Sequence, residues 1–389
     1  MKEQKNIYLM YTLAFLQGMV FYGPVSTLYR QAQGLSVFQI TLIESISLLL
    51  SLALEIPWGI IADRIGYKRT MIFCSALFFI SKLVFWMARG FWWFLLERVL
   101  LSVVVSGMSG VDMSILYLSC KEGESQKAFS IYNGLSVAGL LIASMIFSVF
   151  VGDDLKTAGS LTVLSYGAAA AVPVFLIEVK ERETGGGEGR GERREKRILP
   201  FLGVKIAFLQ IVKNRSLLLF LVSVAFLTQT HQTVTVFLAQ VQYERCGLSP
   251  SAIGYIYAAV TLAGFLGGFS DRSTRKIGIK MAGIVLQVVA ILSCVGLAYT
   301  DSAAVSVCGV MALHVADSLF QPLQMELQNR QVSTEDRATE LSIYAMIIDS
   351  IGVGTSLLFG ALATVSLSLA FLLGMGLCTV GAYLFLTSL

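Results

Sequence analysis

Four polar residues in one apolar stretch of the second half are the residues best suited to proton transfer. They are His314, Asp317, Gln321 and Gln324, and their spacings of three, four and three residues place them on one face of a helix. Imidazole is the side chain that exchanges protons near neutral pH. We predict that His314 and Asp317 contact each other directly and carry a proton. A static interhelical hydrogen bond is the alternative.

A second polar cluster lies at residues 228–233, which read TQTHQT. Six consecutive polar residues cannot all face lipid, so some of them must line water or break the helix. The equivalent place in the first apolar stretch holds Gln17. We therefore expect Gln17, Gln229 and His231 to line a central binding site, with structural packing as the alternative.

Other ionisable residues inside apolar stretches are functional candidates because a charge at bilayer depth is costly. We predict that Asp112 and Arg98 bind substrate or protons, although Arg98 has a fixed ion pair with a neighbouring acid as an equal alternative. Lys82 is expected to extend outward toward the membrane surface. Acids outnumber bases among these residues, which indicates proton carriers or a cationic cargo. The acids are Glu44, Glu55, Glu97, Asp112, Asp317, Glu326 and Asp349.

The composition is that of a membrane protein. The chain has 389 residues, of which 56% are hydrophobic and 14% charged, whereas soluble domains carry about 25% charged residues. The net charge of +4 comes from short loops, so we expect no nucleic-acid partner. The six cysteines form no CxxC pair, and no nucleotide-binding loop is present. We expect no metal site, no catalytic residues and no cofactor beyond a proton gradient.

Twelve apolar stretches are each long enough to cross a bilayer, which takes about 20 residues. Lys and Arg concentrate in the segments that are cytoplasmic if both termini are inside, so we predict a multi-pass protein of the cytoplasmic membrane with both termini in the cytoplasm. The outer loops then hold only Arg30, Arg89, Lys156 and Arg245. The predicted helices are 7–28, 38–62, 70–90, 92–118, 128–151, 158–178, 215–241, 250–270, 279–300, 303–329, 339–361 and 364–387.

The two halves of the chain repeat each other at an offset of about 212 residues. The triplet at 34–36, GLS, recurs at 247–249, and the triplet at 130–132, SIY, recurs at 342–344. We predict an all-α membrane protein with two pseudo-symmetric six-helix bundles at residues 1–178 and 215–389. The glycine-rich, charged stretch 184–197 marks a cytoplasmic linker within 179–214. Residues 200–213 form either an interfacial helix or an early start of the seventh helix.

The loop after the second helix carries the most specific motif, GIIADRIGYKR at residues 59–69. It resembles the loop signature of the major facilitator superfamily, and the second half holds a degenerate copy with Asp271 and Arg272. Residues 34–68 and 109–113 are similar to a bacterial branch that contains drug and metabolite exporters. The fifth helix lacks the Gly-Pro element usual in drug–proton antiporters of the superfamily. The motif residues are Gly59, Asp63, Arg64, Gly66, Lys68 and Arg69.

The resemblance implies a moving gate. The loop is expected to contact residues 334–338, at the start of the eleventh helix, and to latch the two moving lobes together by that contact. Glu55 lies just before the motif and is expected to serve the same gate. A simple positive-inside anchor is the alternative, but anchoring needs neither the glycines nor the aspartate.

These observations predict a secondary transporter that works by alternating access. Proton-coupled export of an amphipathic or cationic small molecule is the first interpretation, because acids exceed bases in the helices. Proton-coupled uptake of a polar nutrient is the second, because the polar helices are rich in amides and the fifth-helix proline is missing. A lipid flippase or a non-transporting receptor is a third class. We expect a monomer whose partners are its substrate, protons and membrane lipids.

Overall fold

The computed structural model describes residues 2–121, 124–179, 211, 214–332 and 337–388, and all regular structure in these ranges is helical. The chain divides into two compact units. Unit 1 comprises Met1–Arg182 and Gln240–Thr261, and unit 2 comprises Glu183–Ala239 and Leu262–Leu389. The predicted linker at 184–197 and the predicted interfacial segment lie outside the described residues, except for Ile211. The predicted bundle boundaries at 178 and 215 stay a prediction.

Sixteen α-helices cover the described ranges. In the first half they are α1 Lys2–Gly18, α2 Ser26–Ala32, α3 Val37–Ile65, α4 Tyr67–Met87, α5 Phe91–Met108, α6 Val111–Ser119, α7 Ser125–Ile146 and α8 Leu155–Ala171. In the second half they are α9 Arg215–Thr233, α10 Ala239–Arg245, α11 Pro250–Ala263, α12 Ser270–Ile277, α13 Ile279–Tyr299, α14 Ala303–Gln331, α15 Arg337–Val365 and α16 Leu367–Ser388.

Eleven helical stretches among the described residues are long and apolar enough to span a membrane. They correspond to eleven of the twelve predicted helices, so the all-α membrane fold is confirmed. The first predicted span is interrupted, because α1 ends at Gly18 and a 3₁₀ turn with Pro24 precedes α2. The fourth is broken at Gly110, whose φ of +78° no helix accommodates.

The sequence repeat produces matching local structure in both halves. Gly34 and Gly247 have φ of +93° and +78°, and each follows a helix whose end is closed by backbone hydrogen bonds. Gly66 and Gly278 have φ of +90° and +82° and join consecutive helices. A left-handed backbone at these turns is the conformation that glycine adopts without strain. The repeat therefore specifies turns as well as apolar spans.

Each unit is held together by contacts between its helices. In unit 1, α3 packs on α5, α4 packs on α5 and α8, and α1 packs on α7. A Cβ at Gly18 would lie 2.1 Å from the carbonyl oxygen of Ser136, so only glycine permits this approach of α1 to α7. In unit 2, α13 packs on α14 and α16, and α9 packs on α15, α16 and α14. The contact of α9 with α14 brings together the polar clusters of the second half.

Candidate functional site

A chain of hydrogen bonds links three ionisable side chains in unit 2. His231 on α9 lies between Asp317 and His314, both on α14. Its Nδ1 is 3.0 Å from Asp317 Oδ2, and its Nε2 is 2.9 Å from His314 Nδ1. Gln321 Nε2 donates to the same Asp317 oxygen at 3.0 Å. Asp317 is only 1% exposed, so these contacts replace the water that a carboxylate normally requires.

The predicted direct contact between His314 and Asp317 is wrong. Their three-residue spacing does place them on one side of α14, but no hydrogen bond or ion pair joins them among the described contacts. His231 from the neighbouring helix occupies the position between them. The spacing within one helix could not reveal this arrangement, because it depends on which helix packs against α14.

The order of the three groups restricts where protons lie. When Asp317 is ionised, it can only accept hydrogen bonds, so His231 Nδ1 must carry a proton. His231 Nε2 then accepts from His314 Nδ1 if His231 is neutral, and donates to it if His231 is charged. A proton that binds His314 Nε2 can therefore shift along the chain and leave the imidazolium of His231 beside Asp317. The arrangement can take up, hold and release one proton.

Two glycines that the sequence analysis did not single out shape this site. A Cβ at Gly264 would lie 2.8 Å from His314 Nε2, so the imidazole fits only because this position has no side chain. A Cβ at Gly352 would lie 2.5 to 2.7 Å from the amide of Gln229. A single glycine in an apolar helix indicates that another group packs close to it. Only the folded structure shows which group that is.

The polar lining of unit 2 is incompletely satisfied. Several buried side-chain atoms have no hydrogen-bond partner, and water-filled or ligand-filled space is the usual reason for such atoms. In unit 2 they include Asp317 Oδ1, Gln324 Oε1 and Thr233 Oγ1. The helix does not break at the predicted polar run. It continues into a π-helical turn at Val234–Leu238, a feature that occurs frequently at functional sites.

Unit 1 contains a buried ionic cluster centred on Arg98. Its Nη2 lies 3.0 Å from Glu44 Oε2, and its Nε lies 3.6 Å from Glu97 Oε2. Arg30 approaches Glu97 at 3.9 Å, and the side chains of Arg30 and Glu97 are 3% and 1% exposed. Arg98 thus makes the ion pair that was the alternative to substrate binding, and a role in binding stays a prediction. Two of the acids that produced the apparent acid excess are neutralised within the unit.

Lys82 does not extend to the membrane surface, contrary to the prediction. It is 6% exposed, and its Nζ donates to the hydroxyl of Tyr22 at 3.1 Å. The ammonium also lies 5.0 Å from the Phe78 ring and 5.2 Å from the Tyr166 ring. Such cation–π contacts compensate part of the lost hydration. Lys82 forms no ion pair with any residue that the structure describes.

The two other predicted site residues of unit 1 lie apart from the ionic cluster. Asp112 accepts a hydrogen bond from the backbone of Met113 at 2.7 Å and from the Tyr132 hydroxyl at 3.3 Å, which are contacts that stabilise the start of α6. Gln17 has a buried Nε2 without a partner, and its carbonyl accepts from the Tyr166 hydroxyl at 2.6 Å. The predicted meeting of Gln17 with Gln229 and His231 stays a prediction, because Gln17 belongs to unit 1 and the other two belong to unit 2.

The predicted gate is described only in part. The backbone around Gly66 forms a tight turn, and the amide of Lys68 donates to Glu178 at 3.3 Å. Glu55, Arg64 and Arg69 are exposed. The structure does not describe the side chain of Asp63, the surroundings of Gly59 or residues 333–336. The latch therefore stays a prediction.

The second-half copy of the motif is exposed. Asp271 pairs with Arg275 at 2.8 Å, and both side chains are more than two-thirds exposed. Arg272 is exposed as well. Within the described ranges, no group of three or more His, Cys, Asp or Glu residues is arranged to hold a metal ion.

Comparison with known proteins supplies the family. The sequence profile of the Major Facilitator Superfamily matches residues 7–355. No curated protein sequence matches the chain significantly. Among solved structures, the nucleoside transporter NupG is similar with a TM-score of 0.82 and 15% identity over 98% of each chain.

Two further solved structures have the same fold. A bacterial homologue of the human lysosomal transporter Spinster aligns with a TM-score of 0.75 and 18% identity over 98% of this chain and 95% of its own. A POT family transporter in complex with 5-aminolevulinic acid aligns with a TM-score of 0.69 and 14% identity over 99% of this chain and 94% of its own. At these identities the likeness concerns the fold.

Proposed function

This chain belongs to the Major Facilitator Superfamily, and from that membership we propose that it couples the passage of a small molecule across the cytoplasmic membrane to the passage of protons. The family and the fold are those of transporters. The observation that carries proton coupling is the continuous chain Asp317–His231–His314 in unit 2.

The charge balance of this chain of residues favours a coupling role over a purely structural one. A buried carboxylate is costly unless it is paired and fully hydrogen-bonded. Asp317 has one oxygen with two partners and one with none. A neutral imidazole compensates its charge only weakly, whereas an imidazolium compensates it well. The net charge of the cluster therefore depends on whether it holds a proton, and a transporter can use such a change of charge to favour one conformation.

Export of an amphipathic or cationic compound is the first cargo assignment, and its support is the excess of acids over bases in the helices. Uptake of a polar solute is the second candidate, and a specific observation favours it. Glu44 and Glu97 lie against Arg98 and Arg30, so these two acids are not free to attract a cation. The partnerless atoms of unit 2 are amide, hydroxyl and carboxylate atoms, which suit a ligand with hydrogen-bonding groups.

The test is a proton-flux measurement on the purified full chain in proteoliposomes. A pH-sensitive dye inside the vesicles reports protons that move when each compound of a solute panel is added outside. Acidification of the vesicle interior by a solute indicates symport and alkalinisation indicates antiport, so the response identifies the cargo and the mode of coupling. The wild-type protein is expected to give a solute-dependent pH change for at least one compound class.

Variants then locate the proton. Asp317→Asn and His231→Asn should abolish the solute-induced pH change and gradient-driven accumulation, while energy-independent exchange of the same solute persists. His231→Asn is informative because its amide nitrogen can still donate toward Asp317 but cannot relay a proton. Asp154→Asn is the matched control, since that exposed carboxylate caps the start of α8 in unit 1 and asparagine can keep the cap. Wild-type coupling in both unit 2 variants would rule out this proton path.

A further inference from the structure

A groove of about 760 Å³ lies at the end of unit 2 that the positive-inside count assigns to the cytoplasm. It is formed where α12 turns into α13 at Gly278, opposite the last turns of α14. Its walls combine basic and apolar side chains. The basic ones are Arg275, Lys280 and Arg330, and the apolar ones include Ile277, Met281 and Ile284.

The basic residues of this groove are only partly neutralised. Arg275 pairs with Asp271 at 2.8 Å, and Arg330 pairs with Glu326. These pairs are more than half exposed, so each is weak and can be exchanged for another anion at little cost. Lys280 forms no ion pair with any residue in the described ranges. Three basic and two acidic residues line the groove, so one basic residue, Lys280, has no acidic partner there.

An exposed apolar stripe continues from the groove along α13. Met281, Val285, Val288 and Leu292 are 54%, 43%, 42% and 64% exposed. Their spacings of four, three and four residues place them on one face of the helix. At about 1.5 Å per residue the stripe is about 16 Å long, which is close to half of the roughly 30 Å hydrocarbon thickness of a bilayer. The stripe thus has the length of one leaflet.

We propose that this groove and stripe bind one anionic phospholipid of the inner leaflet. The phosphate and its headgroup would lie against Lys280, Arg275 and Arg330, and an acyl chain would lie along the stripe that begins at Met281. Anionic headgroups are attracted to clusters of Lys and Arg at the cytoplasmic membrane surface. A free phosphate would satisfy the basic residues but would leave the stripe unused, so the continuity of the two features favours a lipid.

The experiment measures lipid binding to the full chain in detergent by native mass spectrometry, with thermal unfolding as a second readout. The probes are dioleoyl phosphatidylglycerol, dioleoyl phosphatidylcholine and inorganic phosphate. Phosphatidylglycerol should bind with defined stoichiometry and raise the unfolding temperature, since ligands of the folded state stabilise it. Phosphatidylcholine and phosphate at the same concentration should have much smaller effects.

Matched variants distinguish the groove from general surface charge. Lys280→Gln and Arg330→Gln should each weaken phosphatidylglycerol binding about fivefold, the effect expected for one basic residue at the membrane surface. Lys276→Gln removes the same charge four residues away, but Lys276 does not line the groove. It should change the affinity by less than about twofold. All three side chains are exposed, so the substitutions leave the core packing intact.

Three outcomes would overturn the assignment. Equal losses in Lys276→Gln and Lys280→Gln would mean that diffuse charge attracts the lipid. Equal binding of phosphatidylglycerol and phosphatidylcholine would mean that the basic residues do not select the headgroup. Equal stabilisation by inorganic phosphate would mean that the site takes a free anion and that the stripe is not part of it.

Discussion

Substitution of Gly264 by alanine should uncouple proton movement without disturbing the fold. The new Cβ would lie 2.8 Å from His314 Nε2, whereas ordinary contacts begin at 3.4 Å, so the imidazole must move by about 0.6 Å. The ring cannot move closer to His231, because His314 Nδ1 is already 2.9 Å from His231 Nε2. It must instead rotate, and the hydrogen bond between the two imidazoles loses its alignment.

The size of the effect follows from the hydrogen bond that is lost. A typical hydrogen bond contributes about 0.5–1.5 kcal/mol net. Its loss should lower the fraction of molecules in which His314 and His231 are hydrogen-bonded by about two- to tenfold. The solute-induced proton flux in proteoliposomes should fall by that factor. Exchange of unlabelled for labelled solute should stay near the wild-type rate, because Asp317 and His231 keep their contact.

Gly268→Ala is the matched control for this prediction. Gly268 belongs to the same short 3₁₀ segment, Gly264–Phe269, but a Cβ there would have nothing within 4 Å. Both variants make the same change in backbone freedom, so a difference between them reports the contact with His314. If Gly264→Ala and Gly268→Ala show equal proton flux, the imidazole does not depend on this glycine and the reasoning is refuted.

Two further predictions concern other contacts. Arg98→Gln should lower the free energy of unfolding by about 3–5 kcal/mol, because it removes the nearer of two cationic partners of the buried Glu97 carboxylate, whereas Arg275→Gln breaks an exposed pair and should cost at most about 1 kcal/mol. Denaturant unfolding in micelles measures both, and equal losses would contradict the buried-cluster argument. Gly352→Ala should displace the amide of Gln229 and raise the solute concentration needed for half-maximal transport, while Gly354→Ala, with open space around it, should not. Identical transport curves would exclude Gln229 from the solute path.

Polar residues in apolar helices were the part of the site that the sequence revealed best. An ionisable group in lipid is costly, so its presence already indicates a partner or a function. His231 and Asp317 were identified on this ground and Gln321 from its place on the same polar helix face, and in the structure His231 and Gln321 both contact the Asp317 carboxylate. The sequence did not reveal which of these side chains contact each other, as the position of His231 between Asp317 and His314 shows.

Lys82 illustrates the limit of reasoning from one helix. A lysine near a helix end extends to the surface when its neighbours leave a path, which is the usual behaviour. Here Tyr22 and Tyr166 come from distant parts of unit 1 and enclose the ammonium together with Phe78, which lies one turn earlier on α4. The contact with Phe78 is local in sequence, whereas the other two are not. The sequence carried no indication that Tyr22 and Tyr166 would converge on Lys82.

The sequence by itself determined the helical membrane fold, the internal repeat and the family, because apolar length, turn glycines and a loop motif are local properties of the chain. Apolar spans must form helices in lipid, since every backbone polar group has to be satisfied within its own segment. The tertiary structure alone decided which helix faces which. That choice placed His231 beside α14, cleared space at Gly264 for His314, and neutralised Glu44 and Glu97 with Arg98 and Arg30. Pairing between helices depends on shape complementarity over the whole bundle, and no single segment encodes it.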